Sequence, residues 1–258
     1  MKTSAGLLAA WATLLCIGAA VAALWLHGPI PQDPSYHHFA DARDVFSIPN
    51  FGNVVSNVPF LFVGLSGLMW WWRAPPQAMV PELRQAYLIF FLAVAAVAFG
   101  SGFYHWRPDN NSLVWDRLPM TVAFMAVFSI LLAERVSLEL AMRVYGPLLA
   151  AGVFSVAYWH FTDLQGRGDL RPYALVQFLP MLLTPLILLA RRRARFSVGG
   201  YWWLLGLYVL AKALEHWDEK IFRTLGFISG HSLKHLAAAS GCAALLISFN
   251  NRKRANES

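Results

Sequence analysis

The sequence predicts an all-α polytopic membrane protein, a seven-helix transmembrane bundle with one additional N-terminal transmembrane helix, and three observations carry that prediction. Of 258 residues, 57% are hydrophobic and only 14% are charged, against about 25% charged in an average soluble domain. That leaves too little polar surface for a water-soluble globule. Eight hydrophobic stretches follow one another along the chain, and eight crossings of about 20 residues consume roughly 160 residues, leaving connections but no second soluble domain. The basic residues, which bring the net charge to +7, gather mainly between those stretches, as topology requires.

Residues 5–26 (AGLLAAWATLLCIGAAVAALWL) form an unbroken apolar run of 22 behind Met1 and Lys2. No small-x-small cleavage site closes the run, so it reads as a retained first helix rather than a signal peptide. Residues 27–50 contain Pro29, Pro31, Pro34 and Pro49 together with Asp33, Asp41 and Asp44. Irregular backbone and carboxylates do not lie in lipid, which makes this segment an extramembrane loop. Seven further hydrophobic stretches centre on residues 52–72, 86–105, 115–133, 144–161, 172–190, 200–217 and 230–249. The chain therefore divides into an N-terminal anchor with the start of the polar loop (1–35), a seven-helix membrane domain (36–250) and a basic cytoplasmic tail (251–258). WWW at 70–72 and YWW at 201–203 read as interfacial aromatic belts.

Eight crossings put both termini and every second loop on one side. Twelve Lys and Arg fall there, including RRRAR at 191–195 and NRKR at 251–254, while seven fall on the other side and Lys212 and Lys234 lie inside spans. The bias places both termini in the cytoplasm and accounts for the basicity without a nucleic-acid partner. Cys16 and Cys242 both sit in apolar stretches, as packing residues rather than a disulfide or metal clip. A short chain with two membrane cysteines suggests a bacterial inner membrane.

Under this topology the polar residues embedded in apolar context gather at the non-cytoplasmic ends of their helices, although the charge count made no use of them. Ser101 and His105 end the third crossing, Asp116 starts the fourth, Glu215, His216 and Asp218 end the seventh, and His231 and His235 start the eighth. His231 and His235 are four residues apart in GHSLKHLAAASG, so both imidazoles project from one helix face. Ser101 and His105 repeat that spacing in GSGFYHW. Each pair alone is an ordinary interfacial arrangement, but three imidazoles at one depth can form the His₃ set of an open zinc site. Asp116 serves either as a helix N-cap or as a functional carboxylate at a span end. His216 is the rival ligand; His37, His38 and His160 read as loop or interfacial residues.

GSGFYHW, the following WDRLPM, and GHSLKH resemble, in order and spacing, the Ser-x3-His, Asp and His-x3-His motifs of the alkaline ceramidase family. That family belongs to a superfamily of seven-helix membrane hydrolases that includes adiponectin-receptor-like proteins. NVVSN at 53–57 is similar to the family's Asn-x2-Ser-Asn pattern. The resemblance spans about residues 36–249 and implies a zinc amidase in which His105, His231 and His235 hold the metal, Asp116 handles the proton of the attacking water, and Ser101 helps to hold the oxyanion. Each role suits the chemistry: an amide needs a nucleophile available near neutral pH, charge stabilisation on the tetrahedral oxygen, and a proton for the departing amine.

A site about one turn below the interface, ringed by Phe, Trp and Leu, is reached from the lipid side. The substrate expected from location and resemblance together is a lipid amide: ceramide or a related N-acyl lipid, drawn from the bilayer. The resemblance also brings a calcium site before the first core helix, with Asp41 and Asp44 as its candidate ligands; the segment YHHFADARDVFSIPNFGNVVSN lacks the family's Asp-Trp and Glu-x-Asn arrangement. Two other classes stand beside the hydrolase: a receptor-like membrane protein sharing the zinc site with little turnover, and a b-type haem protein with bis-histidine ligation.

Overall fold

The structure, a computed structural model, describes residues 4–190 and 196–254, without the side chains of residues 4–10, 12–14, 16, 253 and 254. Among them it is built from α-helices: α1 (Ser4–His27), α2 (Phe51–Val55), α3 (Val58–Arg73), α4 (Arg84–Trp106), α5 (Asn110–Arg135), α6 (Leu138–Leu164), α7 (Arg171–Ala190), α8 (Gly199–His216), α9 (Asp218–Leu225) and α10 (Gly230–Arg254). No strand occurs among the described residues, only an isolated bridge between Val45 and Ile48. Lys2 and the RRRAR run at 191–195, which weigh in the orientation expected above, lie outside the described residues, as does the side chain of Cys16; Cys242 is a partly buried free thiol.

Among the described residues, six helical segments are long and apolar enough to cross a bilayer: Phe51–Arg73, Pro81–Trp106, Asn110–Arg135, Leu138–Leu164, Arg171–Ala190 and Gly230–Arg252. The protein is thus an all-α, multi-pass membrane protein. α8 is 18 residues long, carries Lys212 and Glu215, and is not among these six. Large apolar side chains such as Phe62, Trp72, Phe99, Phe154 and Ile247 stand exposed on the outer faces, where acyl chains replace water as solvent.

Two close approaches position the site. Pro119 lies inside α5 and lacks the N–H that would bond the carbonyl of Trp115 one turn earlier. Gly100 of α4 lies against that carbonyl so tightly that a Cβ there would meet the oxygen at 2.0 Å. The contact brings Ser101 and Asp116, each the next residue in its helix, to one seam. Gly230 opens α10 in the same manner, since a Cβ would meet the carbonyl oxygen of Leu214 in α8 at 2.2 Å; His231 follows directly.

The same four helices α4, α5, α8 and α10 carry a second polar knot at their opposite ends. Arg252 donates to both carboxylate oxygens of Glu134 at 2.7 and 3.0 Å, and the hydroxyls of Tyr87 and Tyr201 donate to the same carboxylate at 2.7 and 3.0 Å. Arg252 is therefore not part of a basic tail, as the division at residue 250 had it. Its guanidinium is buried, stacked on Phe196 and Phe249, and α10 runs on through it. Two belt residues also turn inward: Trp70 is buried against Tyr87, Phe91 and Phe249, and Tyr201 against Phe249, whereas Trp72 and Trp203 face outward.

Candidate metal centre

His105 projects from the last turn of α4, and His231 and His235 from the first turns of α10. One ring nitrogen from each lies within 4.8 Å of the other two, and all three residues are buried. The ring centroids stand 4.8 to 5.1 Å apart. Nε2 of His105 and Nε2 of His231 approach to 3.3 Å. Two nitrogens at about 2.0–2.1 Å from a tetrahedral zinc ion are separated by about 3.3–3.4 Å, so this pair has the spacing of two ligands on one ion.

Polar contacts fix the backbone of His105 and His231 and the ring of His235, whereas Nδ1 of His105 is buried with no hydrogen-bond partner. Ser56, at the break between α2 and α3, donates its hydroxyl to the carbonyl of Asn53 at 3.1 Å and lies 2.7 Å from Nδ1 of His235. When the Asn53 carbonyl takes the hydroxyl proton, the Ser56 oxygen accepts from Nδ1–H, and that tautomer leaves the Nε2 lone pair free for a metal. The backbone N–H of His231 donates to Asp218 at 2.7 Å, and the second oxygen of the same carboxylate accepts from Ala40 N–H at 3.1 Å. Asp218 thereby satisfies an otherwise orphan donor at the start of α10. Asn50 donates to the carbonyl of His105 at 2.9 Å.

The loop before α2 folds over this cluster. The ring of Phe39 meets His105 edge-on at 4.7 Å and His231 at 4.8 Å between centroids, forming an apolar cover. His37 is tied to Asn110 at 2.9 Å and Tyr104 at 3.1 Å, a structural role. Farther out, Leu170 N–H donates to the carbonyl of Ile30 at 2.8 Å. None of these loop contacts has a local sequence signature.

Asp116 is buried one and a half turns inside α5, with the hydroxyl of Ser101 within hydrogen-bonding reach of its carboxyl. It does not cap the helix. That role belongs to Asp109, which accepts from Ser112 N–H at 2.7 Å while the Ser112 hydroxyl accepts from Asp109 N–H at 3.1 Å, a reciprocal capping box. Beside Asp116, the guanidinium of Arg117 is enclosed by Trp159 at 4.2 Å, Tyr173 at 4.6 Å and Tyr36 at 5.7 Å, and donates to Gln32 at 2.6 Å.

Of the remaining candidates, His216 is exposed beside Trp217 and is not in the cluster. Asp41 and Asp44 form no metal-holding group among the described residues. Asp41 is buried and already has a cation: Arg43 donates to its two oxygens at 2.7 and 2.8 Å, which holds its carboxyl below the usual carboxylate range. Asp44 is exposed. Sequence reasoning passed over Lys234, which sits between the two histidines of α10. Its ammonium pairs with Glu215 at 2.5 Å, as does that of Lys212 at 2.5 Å. Compared with protein-family models, curated proteins and solved structures, the chain matches none.

Proposed function

We propose that this protein is a zinc-dependent membrane hydrolase that cleaves the amide bond of ceramide or a related N-acyl lipid, releasing a sphingoid-type base and a fatty acid. The observation that carries this reading is the convergence of His105, His231 and His235 on one point, with the Asp116–Ser101 pair on the neighbouring helix seam. The donor set suits zinc: three imidazole nitrogens, with a fourth position left to water or substrate.

Bound there, zinc supplies Lewis acidity and a water that ionises near neutral pH. The chain's residues do the rest. Asp116 accepts the proton that the attacking water loses as its oxygen bonds to the amide carbon, then delivers that proton to the departing nitrogen as the carbon–nitrogen bond breaks. Ser101 orients Asp116 and, with its hydroxyl turned to the substrate, donates to the oxygen on which charge develops. Phe39 excludes bulk water from the imidazole face. Lipid-exposed helix surfaces around the site suit a substrate that arrives from the bilayer.

In this reading α8 and α1 also cross the membrane, giving a seven-helix core with an added N-terminal helix, both termini in the cytoplasm of a bacterial inner membrane and the histidines on the far side. The test is elemental analysis of the purified protein coupled to detection of free base and fatty acid from an N-acyl sphingoid substrate. Zinc with turnover supports the hydrolase. Zinc without turnover of any N-acyl lipid contradicts it and points to the receptor-like alternative.

A further inference from the structure

Beside the candidate metal centre two ammonium groups share one carboxylate. Lys234 of α10 and Lys212 of α8 both direct their ammonium groups at a single carboxylate, that of Glu215, each at 2.5 Å. Arg117 and Asp116 add one further charge of each sign. Asp218 lies apart from this row, with both its oxygens held by backbone N–H groups, and the Asp41–Arg43 pair is neutral in itself.

A purely structural ion pair would need one lysine. Two on one carboxylate repel each other, at a depth where charge is expensive and where a buried pair adds little stability over apolar packing. Ionisable groups retained in such places mark ligand paths. The arrangement is also open: the side chains of Lys212, Glu215 and Lys234 are 40%, 19% and 16% exposed. Lys212 lies at the seam of α7 and α8, with its ammonium 6.0 Å from the ring of Phe178 on α7. The row thus leads from a helix seam inward to Lys234, which lies between His231 and His235 in α10.

From this geometry we infer that the Lys212–Glu215–Lys234 row receives an anionic group of the substrate, so that the preferred N-acyl lipid carries a carboxylate or phosphate a few bonds from its amide. The inference rests on the amidase reading for its substrate class, but the pairing of two lysines with the one Glu215 carboxylate stands without it. The incoming anion takes up one lysine while Glu215 keeps the other, and the amide is thereby set beside the histidines. Charge-assisted hydrogen bonds of this kind correspond to about 10- to 100-fold in binding or in kcat/KM.

Two matched pairs test it on the zinc-loaded protein in neutral detergent: N-palmitoylglycine against N-palmitoylethanolamine, and ceramide 1-phosphate against ceramide. The expected result is a kcat/KM at least about 10-fold higher for the anionic member of one pair or both, the pair that shows it telling carboxylate from phosphate. In Lys212→Met, with zinc content verified, the ratio falls towards one, and in Lys212→Arg it is retained. Binding is read separately by native mass spectrometry, using the non-hydrolysable isostere of N-palmitoylglycine in which methylene replaces the amide N–H. Charge-selective binding that depends on Lys212, without hydrolysis of any lipid, supports the anion site and removes the amidase. Equal turnover within both pairs, or equal effects of Lys212→Met on anionic and neutral members, overturns the anion site and leaves the amidase standing.

Discussion

The hydroxyl of Ser56 lies 2.7 Å from Nδ1 of His235, one of the three imidazoles of the cluster with His105 and His231. Such a bond sets the tautomer and the direction of a metal-binding ring, and its loss typically costs about 10- to 100-fold in metal affinity. Ser56→Ala is expected to weaken zinc retention by that factor while the protein stays folded. Competition with a chromogenic chelator reads the change, and an unaltered affinity would show that His235 is oriented by packing alone.

Asp116 is buried and caps no helix, and proton handling is the role proposed for it above. Asp116→Asn should retain full zinc and lose hydrolysis, since the amide side chain preserves shape but accepts no proton. Ser101→Ala should slow turnover by about 10²-fold or more. Normal activity in the Asn variant contradicts the assignment, and an unchanged rate in the Ala variant leaves Ser101 a packing residue.

The contact at Gly100 makes a prediction about folding rather than chemistry. A Cβ 2.0 Å from the carbonyl oxygen of Trp115 cannot be accommodated unless α4 and α5 separate. Gly100→Ala should therefore destabilise the protein by more than about 3 kcal/mol, beyond ordinary overpacking. Thermal unfolding in detergent checks this. Gly146→Ala, where nothing lies within 4 Å of the added carbon, serves as the control with little change.

The loop over the site depends on Asp41 and Arg43. Hydrogen bonds from Arg43 hold the Asp41 carboxyl below its usual range, and the unfolded-state value is about 3.9. A carboxylate with a depressed folded-state pKa contributes stability that is complete above the unfolded value and is lost as pH falls through the folded one. Hydrogen exchange over residues 39–46 should stay protected from pH 7 to about 5 and rise only below about 4. Asp41→Asn should show raised exchange throughout, and calcium chelation should leave the wild type unchanged. A loosening at pH 6, or on chelation, would contradict the Arg43 account.

The sequence was informative wherever hydropathy or side-chain spacing carries the signal. The i, i+4 pairs Ser101–His105 and His231–His235 lie on single helix faces, and the shared depth of those faces follows from alternating crossings. Where contacts join distant segments, the local pattern was silent. Phe39, 66 residues before His105, is placed by a loop whose register no periodicity reports, and Ser56 appeared only within a motif, without a role. Asp116 looked like a helix start because apolar residues begin beyond it, whereas the reciprocal bonds of Asp109 and Ser112 begin α5 earlier. Arg252 looked like tail because it lies among cations; its acidic partner Glu134 is 118 residues away. Lys212 and Lys234 were counted only as charges inside spans, since nothing in their neighbourhood shows that they meet at Glu215.

The account stands or falls on one ion held by three rings. Metal analysis of the purified wild-type protein, and of His105→Ala, His231→Ala and His235→Ala made in parallel, tests it most directly. The expected result is one zinc per chain in the wild type and a stoichiometry near zero in each variant that still folds. Full zinc in any one of the three alanine variants, or a wild type that takes up no zinc when the metal is supplied, would contradict it.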